Sequence, residues 1–149
     1  MGAYAREVLD EADALLLGRI TFEVFAQAWP SVVDATGFAD RMNSMPKFVA
    51  STTSSEPLAW NATLVQGDVL NAVHELKGDH TLLINGSGEL VQTLMRAGVI
   101  DDFRIWVHPV AIGAGKRLFT EGMSLRDIKL KGTRTTGKGI VILQLQPAR

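Results

Sequence analysis

The pattern of apolar and polar positions changes period several times along this chain, and each change marks an element. Tyr4, Val8, Leu9 and Ala12 recur at helical spacing, so the chain is expected to open in a helix. Ala14-Leu15-Leu16-Leu17 is a short apolar run closed by Gly18 and reads as a buried strand. Phe22, Phe25, Ala26 and Trp29 form the apolar face of a second helix, capped by Thr21 and ended by Pro30. A short helix around Phe38, Met42 and Met45 leads to Pro46 and a strand over Lys47 to Ser51. The Ser-, Thr- and Pro-rich stretch from Thr52 to Asn61 is expected to be a loop, followed by a brief strand at Thr63-Leu64-Val65. Asp68 is expected to cap a helix carrying Val69, Leu70, Val73 and Leu76, with Gly78 stopping it.

The second half repeats the alternation and then abandons it. Thr81 to Ile84 reads as an apolar strand that enters Asn85-Gly86-Ser87-Gly88 and a helix bearing Leu90, Val91, Leu94 and Met95, ended by Gly98. Phe103, Ile105 and Val107 alternate with Arg104, Trp106 and His108, a half-buried strand. Pro109 and Gly113-Ala114-Gly115 predict a bulge or bend after it. Ile128 to Thr133 and Ile140 to Gln146, joined through Gly137-Lys138-Gly139, predict an antiparallel hairpin. The whole of 1–149 is expected to be one α/β domain with a mixed, mostly parallel sheet flanked by helices.

Chemistry concentrates where strands end. A strand that runs through Gly86-Ser87-Gly88 into a helix gathers free backbone N–H groups at one point, with the helix dipole behind them. Such a turn suits a pyrophosphate, and Ser87 adds a hydroxyl donor. A Gly-x-Gly is weak alone, because the full dinucleotide fingerprint has a third glycine and a later acidic residue. Gly18-Arg19-Ile20-Thr21 is a second turn of this kind, with Arg19 offering a planar cationic fork. Ser51-Thr52-Thr53 closes a third strand with hydroxyls suited to a ribose or its phosphate. In open α/β sheets, ligands bind beyond the carboxyl ends of the strands.

Composition narrows the options. With 149 residues, 46% hydrophobic and 21% charged, the chain can bury a core without staples. A net charge of -1 predicts no nucleic-acid partner, and no apolar run is long enough for a membrane span. The absence of cysteine excludes disulfides, thiol nucleophiles and thiolate metal sites, and fits the cytoplasm. His74, His80 and His108 lack metal spacing, Asp10-Glu11 and Asp101-Asp102 suggest no acid–base role, and no triad elbow occurs. Trp29, Trp60 and Trp106 are expected to pack in a core or interface.

Five stretches in this order resemble the dihydrofolate-reductase-like superfamily, in its bacterial branch related to the reductase domain of the bifunctional riboflavin-biosynthesis enzyme. They are Leu16 to Glu23, Lys47 to Ser51, Leu83 to Val91, Asp101 to Val110, and Gly113 to Phe119. The resemblance implies a three-layer domain that binds NADPH and reduces a small heterocycle, of pterin or pyrimidine type, by hydride transfer. It implies that Gly18, Arg19 and Thr21 hold cofactor phosphates. It places Ser51 and Thr52 near the adenosine ribose and its 2′-phosphate, and Gly86, Ser87, Gly88, Glu89 and Leu90 around the pyrophosphate. No catalytic residue is assigned, and flavin is a weaker alternative cofactor.

The departure lies at the start. Members of the superfamily begin with a strand and a Ser-Leu-Asp-Gly-like segment that borders substrate and nicotinamide, and nothing like it precedes Tyr4. The resemblance therefore implies a shortened chain whose missing central strand leaves unpaired backbone groups. The alternative function is a nucleotide-binding or assembly protein of the same fold without turnover. Phe103, Ile105, Trp106 and Val107, with the Gly113 to Gly115 bend, predict an apolar edge and a homodimer.

Overall fold

The computed structural model describes residues 2–121 and 128–148. Its chain falls into two compact units, Met1–Val91 and Gln92–Arg149. The first unit is an α/β layer. It contains α1 (Gly2–Glu11), β1 (Ala14–Gly18), α2 (Arg19–Ala28), a single 3-10 turn (Trp29–Ser31), α3 (Phe38–Ser44), β2 (Lys47–Ala50), β3 (Ala62–Leu64), α4 (Val69–Asp79) and β4 (Leu82–Ile84). Its four strands are all parallel, in the order β3-β2-β1-β4.

The apolar run at Ala14 to Leu17 explains why β1 is central. Each of these four side chains is fully buried, as expected for a parallel strand paired on both edges. Leu9, Ala12, Leu15, Leu17, Phe22, Met42, Met45 and Val49 form one core cluster, and Phe25, Trp29, Phe38 and Trp60 pack against it. Phe25 meets Trp29 and Trp60 edge-on, with centroids 6.4 Å away in each case. The tryptophan expectation is thus met at Trp29 and Trp60.

Three boundary expectations need correction. Helix α2 starts at Arg19, with Gly18 as its N-cap and no side-chain cap, so Thr21 sits inside the first turn. Gly18 is extended (φ -73, ψ 163), so strand gives way to helix with no intervening residue for Thr21 to cap. Gly78 does not stop α4. Its φ is not among the positive ones, the helix runs on to Asp79, and extended His80 closes it through its N–H on Leu76 O at 2.8 Å. Asp68 holds the N-cap position of α4, but its side chain accepts no capping bond.

The second unit is antiparallel. Helix α5 (Gly88–Arg96) passes into it, followed by β5 (Phe103–Val107), β6 (Ile128–Thr135) and β7 (Val141–Pro147). The sheet order is β5-β7-β6, and the predicted hairpin is β6-β7. Gly98 ends α5 as expected, with φ 70 and Val99 N–H returning to Leu94 O at 3.2 Å. From α5, the Gln92 side chain donates to Arg117 O at 2.8 Å and Arg96 to Thr120 Oγ1 at 3.1 Å, which anchors the bends after Pro109. The register break lies in β6, between Leu130 and Gly132.

Both sheets therefore have terminal strands, and β4 and β5 are two of them among the described residues. The apolar edge predicted along β5 is narrower than the sequence suggests. Phe103 is buried, Ile105 and Trp106 are half-buried, and of these four only Val107 is exposed.

Candidate functional site

Strand register brings the three polar turns to one edge of the parallel sheet. Gly18 pairs with Ala50, and Leu16 with Ile84. The chain leaving β1 at Arg19, β2 at Ser51 and β4 at Asn85 therefore emerges along the same carboxyl edge. Gly18 N–H donates to Gly86 O at 3.0 Å and ties two of these turns together.

The two glycine turns also interlock. A Cβ on Gly18 would lie 2.8 Å from both the Cβ and the backbone N of Ser87, and would collide with its Oγ. A Cβ on Gly86 would lie 2.8 Å from Thr21 Oγ1, and Gly86 has a φ of 144. Each glycine thus makes room for a hydroxyl residue of the opposite turn. The positive φ at Gly86 adds a backbone reason for glycine there. The Gly86–Ser87 peptide is cis.

Backbone donors follow from this geometry. Without a side-chain cap, the first N–H groups of α2 have no side-chain acceptor among the described residues. At α5, Ser87 O accepts from Val91 N–H at 3.0 Å, and Ser87 Oγ stands 3.5 Å from Leu90 N. Nothing lies within 4 Å of a Cβ placed on Gly88, so this face of the turn is open. Two helix N-termini beside one another, one of them open, form a seat suited to an anion. Glu89 is exposed and Leu90 buried in the first turn of α5.

The remaining predicted residues are placed less directly. Arg19 is exposed and holds Glu23 through two contacts of 3.2 Å. An exposed pair of this kind is worth at most about 1 kcal/mol, so the guanidinium can exchange partners. Ser51 Oγ accepts from Thr53 N–H at 3.2 Å and Ser54 N–H at 3.0 Å, and donates to Ser54 Oγ at 3.0 Å. Its hydroxyl organises its own loop, while Thr52 is exposed. No hydrogen bond joins Ser51 or Thr52 to the glycine turns among the described residues.

Two polar centres escaped the sequence reading. Lys47 is 1% exposed, donates to Asn43 O at 2.8 Å and lies 4.1 Å over the Trp60 ring. Burial pushes its ammonium down to about 8. Strand alternation could have revealed it, since Lys47 is in phase with buried Val49. Asn43 links the group further, accepting from Trp60 Nε1 at 2.6 Å and donating to Trp29 O at 3.1 Å. The second centre is Asp102, which accepts from Arg104 at 2.7 Å and from Gln144 and Gln146 at 3.0 Å each. Burial opposes its charge, but the bonds from Arg104, Gln146 and Gln144 outweigh that and hold the carboxyl below its ordinary range. Its bonds tie the residue before β5 to β5 and β7. His80 bonds Asp13 at 2.9 Å, and no group of three metal-ligating side chains occurs among the described residues.

Comparison with known proteins adds the family. A model described as the RibD C-terminal domain matches residues 1–142. YyaP of Bacillus subtilis (strain 168), an uncharacterized protein, is 29% identical over 140 residues, covering 91% of this chain and 74% of its own. YwjB of the same organism, also uncharacterized, is 40% identical over 57 residues, 38% of this chain and 33% of its own. Among solved structures, a protein of Shewanella sp. PV-4 described under riboflavin biosynthesis superposes with a TM-score of 0.76 at 24% identity, over 96% of this chain and 78% of that one. Acinetobacter baumannii RibD superposes with a TM-score of 0.70 at 14% identity, over 99% of this chain and 51% of its own. At these identities the two structures establish the fold.

Proposed function

Since the chain belongs to the RibD C-terminal domain family of reductase-type domains, we propose that it is an NADPH-dependent reductase of a small pterin- or pyrimidine-type heterocycle. The observation that carries this reading is the interlock of Gly18 with Ser87 and of Gly86 with Thr21. It sets two helix N-termini and Arg19 at one carboxyl edge of a parallel sheet, where a dinucleotide is ordinarily received. In this reading the N–H groups of Arg19 to Thr21 and of Gly88 and Glu89 bind the pyrophosphate, with Gly86 and Ser87 beside it and Leu90 close behind. Ser51 and Thr52 face the ribose and its 2′-phosphate. The cofactor supplies the hydride, and the chain supplies binding, orientation and exclusion of water. No side chain is assigned as proton donor.

The test is a thermal melt with and without NADPH. Ligand at about a hundred times its Kd stabilises a fold by about 2.7 kcal/mol, a readily measured rise in Tm. An unchanged Tm at millimolar NADPH would sink the proposal. NADPH oxidation across pterins, pyrimidines and quinones then separates a reductase from a nucleotide-binding protein of the same fold. A yellow purified protein would point to flavin instead. Self-association as a homodimer and a cytoplasmic location belong to the same proposal. No helix among the described residues is long and apolar enough to cross a membrane.

A further inference from the structure

The unit that contains the glycine turns is itself acidic. Met1–Val91 carries 5 basic and 12 acidic side chains. Three of the five cations are committed to backbone carbonyls: Arg6 to Thr36 O at 2.7 Å, Arg41 to Ala12 O at 2.7 Å and Lys47 to Asn43 O at 2.8 Å. Lys77 lies in the last turn of α4, which leads to the amino end of β4. That leaves Arg19, the first residue of α2, as the cation this unit presents at the glycine turns.

Arg19 is placed against its own helix. A cation at a helix N-terminus opposes the dipole, and a cation four residues before an anion is the less favourable order of an i,i+4 pair. No acidic residue stands in the first turn of α2 to offset it. Helix stability therefore accounts for the position of neither Arg19 nor Glu23, whereas an anion received at the N-terminus accounts for Arg19.

Glu23 accounts for where the guanidinium rests. Both contacts come from Arg19 Nη1, one to each carboxylate oxygen at 3.2 Å. These are long for charge-assisted bonds, and they use one nitrogen of a fork that can grip two oxygens. Glu23 stands one helical turn beyond Arg19, so the pair draws the guanidinium along α2 and away from its first N–H groups. The two side chains are 42% and 53% exposed, which leaves both open to exchange.

We infer, on the reductase reading, that Glu23 is a latch on Arg19. In the free chain Glu23 holds the guanidinium off the anion seat, and an arriving phosphate must win Arg19 from it. A two-oxygen grip on phosphate then replaces a loose contact with a carboxylate. Glu23 is thus a positioning residue that acts through Arg19 and lowers the affinity of the seat.

Thermal melts of the full chain across a series of inorganic pyrophosphate concentrations, with NADPH in parallel, test this. Glu23→Gln should lower the apparent Kd for both by about twofold, and by no more than about fivefold. Arg19→Gln should raise it. Within the Arg19→Gln background, Glu23→Gln should change nothing, because the latch then has nothing to hold. Raising ionic strength from about 0.1 M to about 1 M shortens the screening length from about 10 Å to about 3 Å and should shrink the gain. Far-ultraviolet circular dichroism checks that the variants are folded, and Glu23→Ala opens the latch in a second way. Unchanged or weaker pyrophosphate binding in Glu23→Gln and Glu23→Ala would overturn the inference. A gain that persists in the Arg19→Gln background would overturn it too, since Glu23 would then repel the anion directly. So would a wild-type Tm that ignores pyrophosphate throughout the series. If pyrophosphate behaves as expected while NADPH leaves the Tm unchanged, the latch stands and the reductase reading falls. If NADPH raises the Tm alike in wild type and in Glu23→Gln, the reading stands and the latch falls.

Discussion

Lys47 occupies a position that strand alternation assigns to an apolar side chain, and its surroundings supply one carbonyl and one indole face. Its ammonium is penalised in the folded state, where it titrates at about 8 against 10.5 for the ordinary group. Between these values the unfolded chain keeps a proton that the folded chain has released, so stability rises with pH across that window and is flat below it. The rise should amount to at most about 3 kcal/mol. Urea titrations at a series of pH values measure it, and Lys47→Met should abolish the slope. An unchanged slope in the variant would assign the rise to another group. Gly18 makes a second prediction at this scale. Gly18→Ala drives a methyl group into Ser87 and should cost about 1–3 kcal/mol in chemical denaturation, together with the Tm rise on NADPH. Ser87→Gly in the same chain should recover part of the stability, since the Cβ and Oγ contacts vanish and the backbone contact stays. The types of these residues could be read in advance. The collision that makes Gly18 necessary could not, because its partner lies far away in sequence.

Among the elements, those with an unambiguous period were legible. The run at Ala14 to Leu17, the face of α2 and the β6-β7 hairpin all follow from spacing and turn residues. Ends were less legible, because a terminus depends on backbone angles that residue type only biases. Gly98 takes a positive φ and stops α5, whereas Gly78 takes none and α4 passes through it. Cross-strand polar links were invisible for a different reason. Asp102, Arg104, Gln144 and Gln146 meet only once β5 and β7 are in register, with Arg104 opposite Gln144. Asp102→Asn should therefore destabilise the antiparallel sheet by about 1–3 kcal/mol at neutral pH. The lowered carboxyl pKa contributes stability that is complete above the ordinary Asp range and is lost as pH falls through the folded value. Acid titration followed by circular dichroism should show a weaker acid dependence in the variant.

At the scale of the whole molecule, the parallel sheet was legible as alternation, and the hairpin as its interruption. The division of charge between units was not, because a total of -1 averages over 5 basic and 12 acidic side chains in Met1–Val91 and 10 basic and 4 acidic ones in Gln92–Arg149. The three polar turns were legible as candidates, and what the fold adds is their meeting at one edge. The interlock of Gly18 with Ser87 has a consequence for engineering by recombination. A loop grafted into this chain at positions 85–88 brings its own residue to position 87 and meets whatever stands at position 18. Donor loops with glycine, alanine or serine at position 87 should be accepted. Bulkier ones should yield insoluble chimaeras unless the β1-α2 turn is transplanted from the same donor. The two turns are distant in sequence, yet they should be inherited and exchanged as a single part.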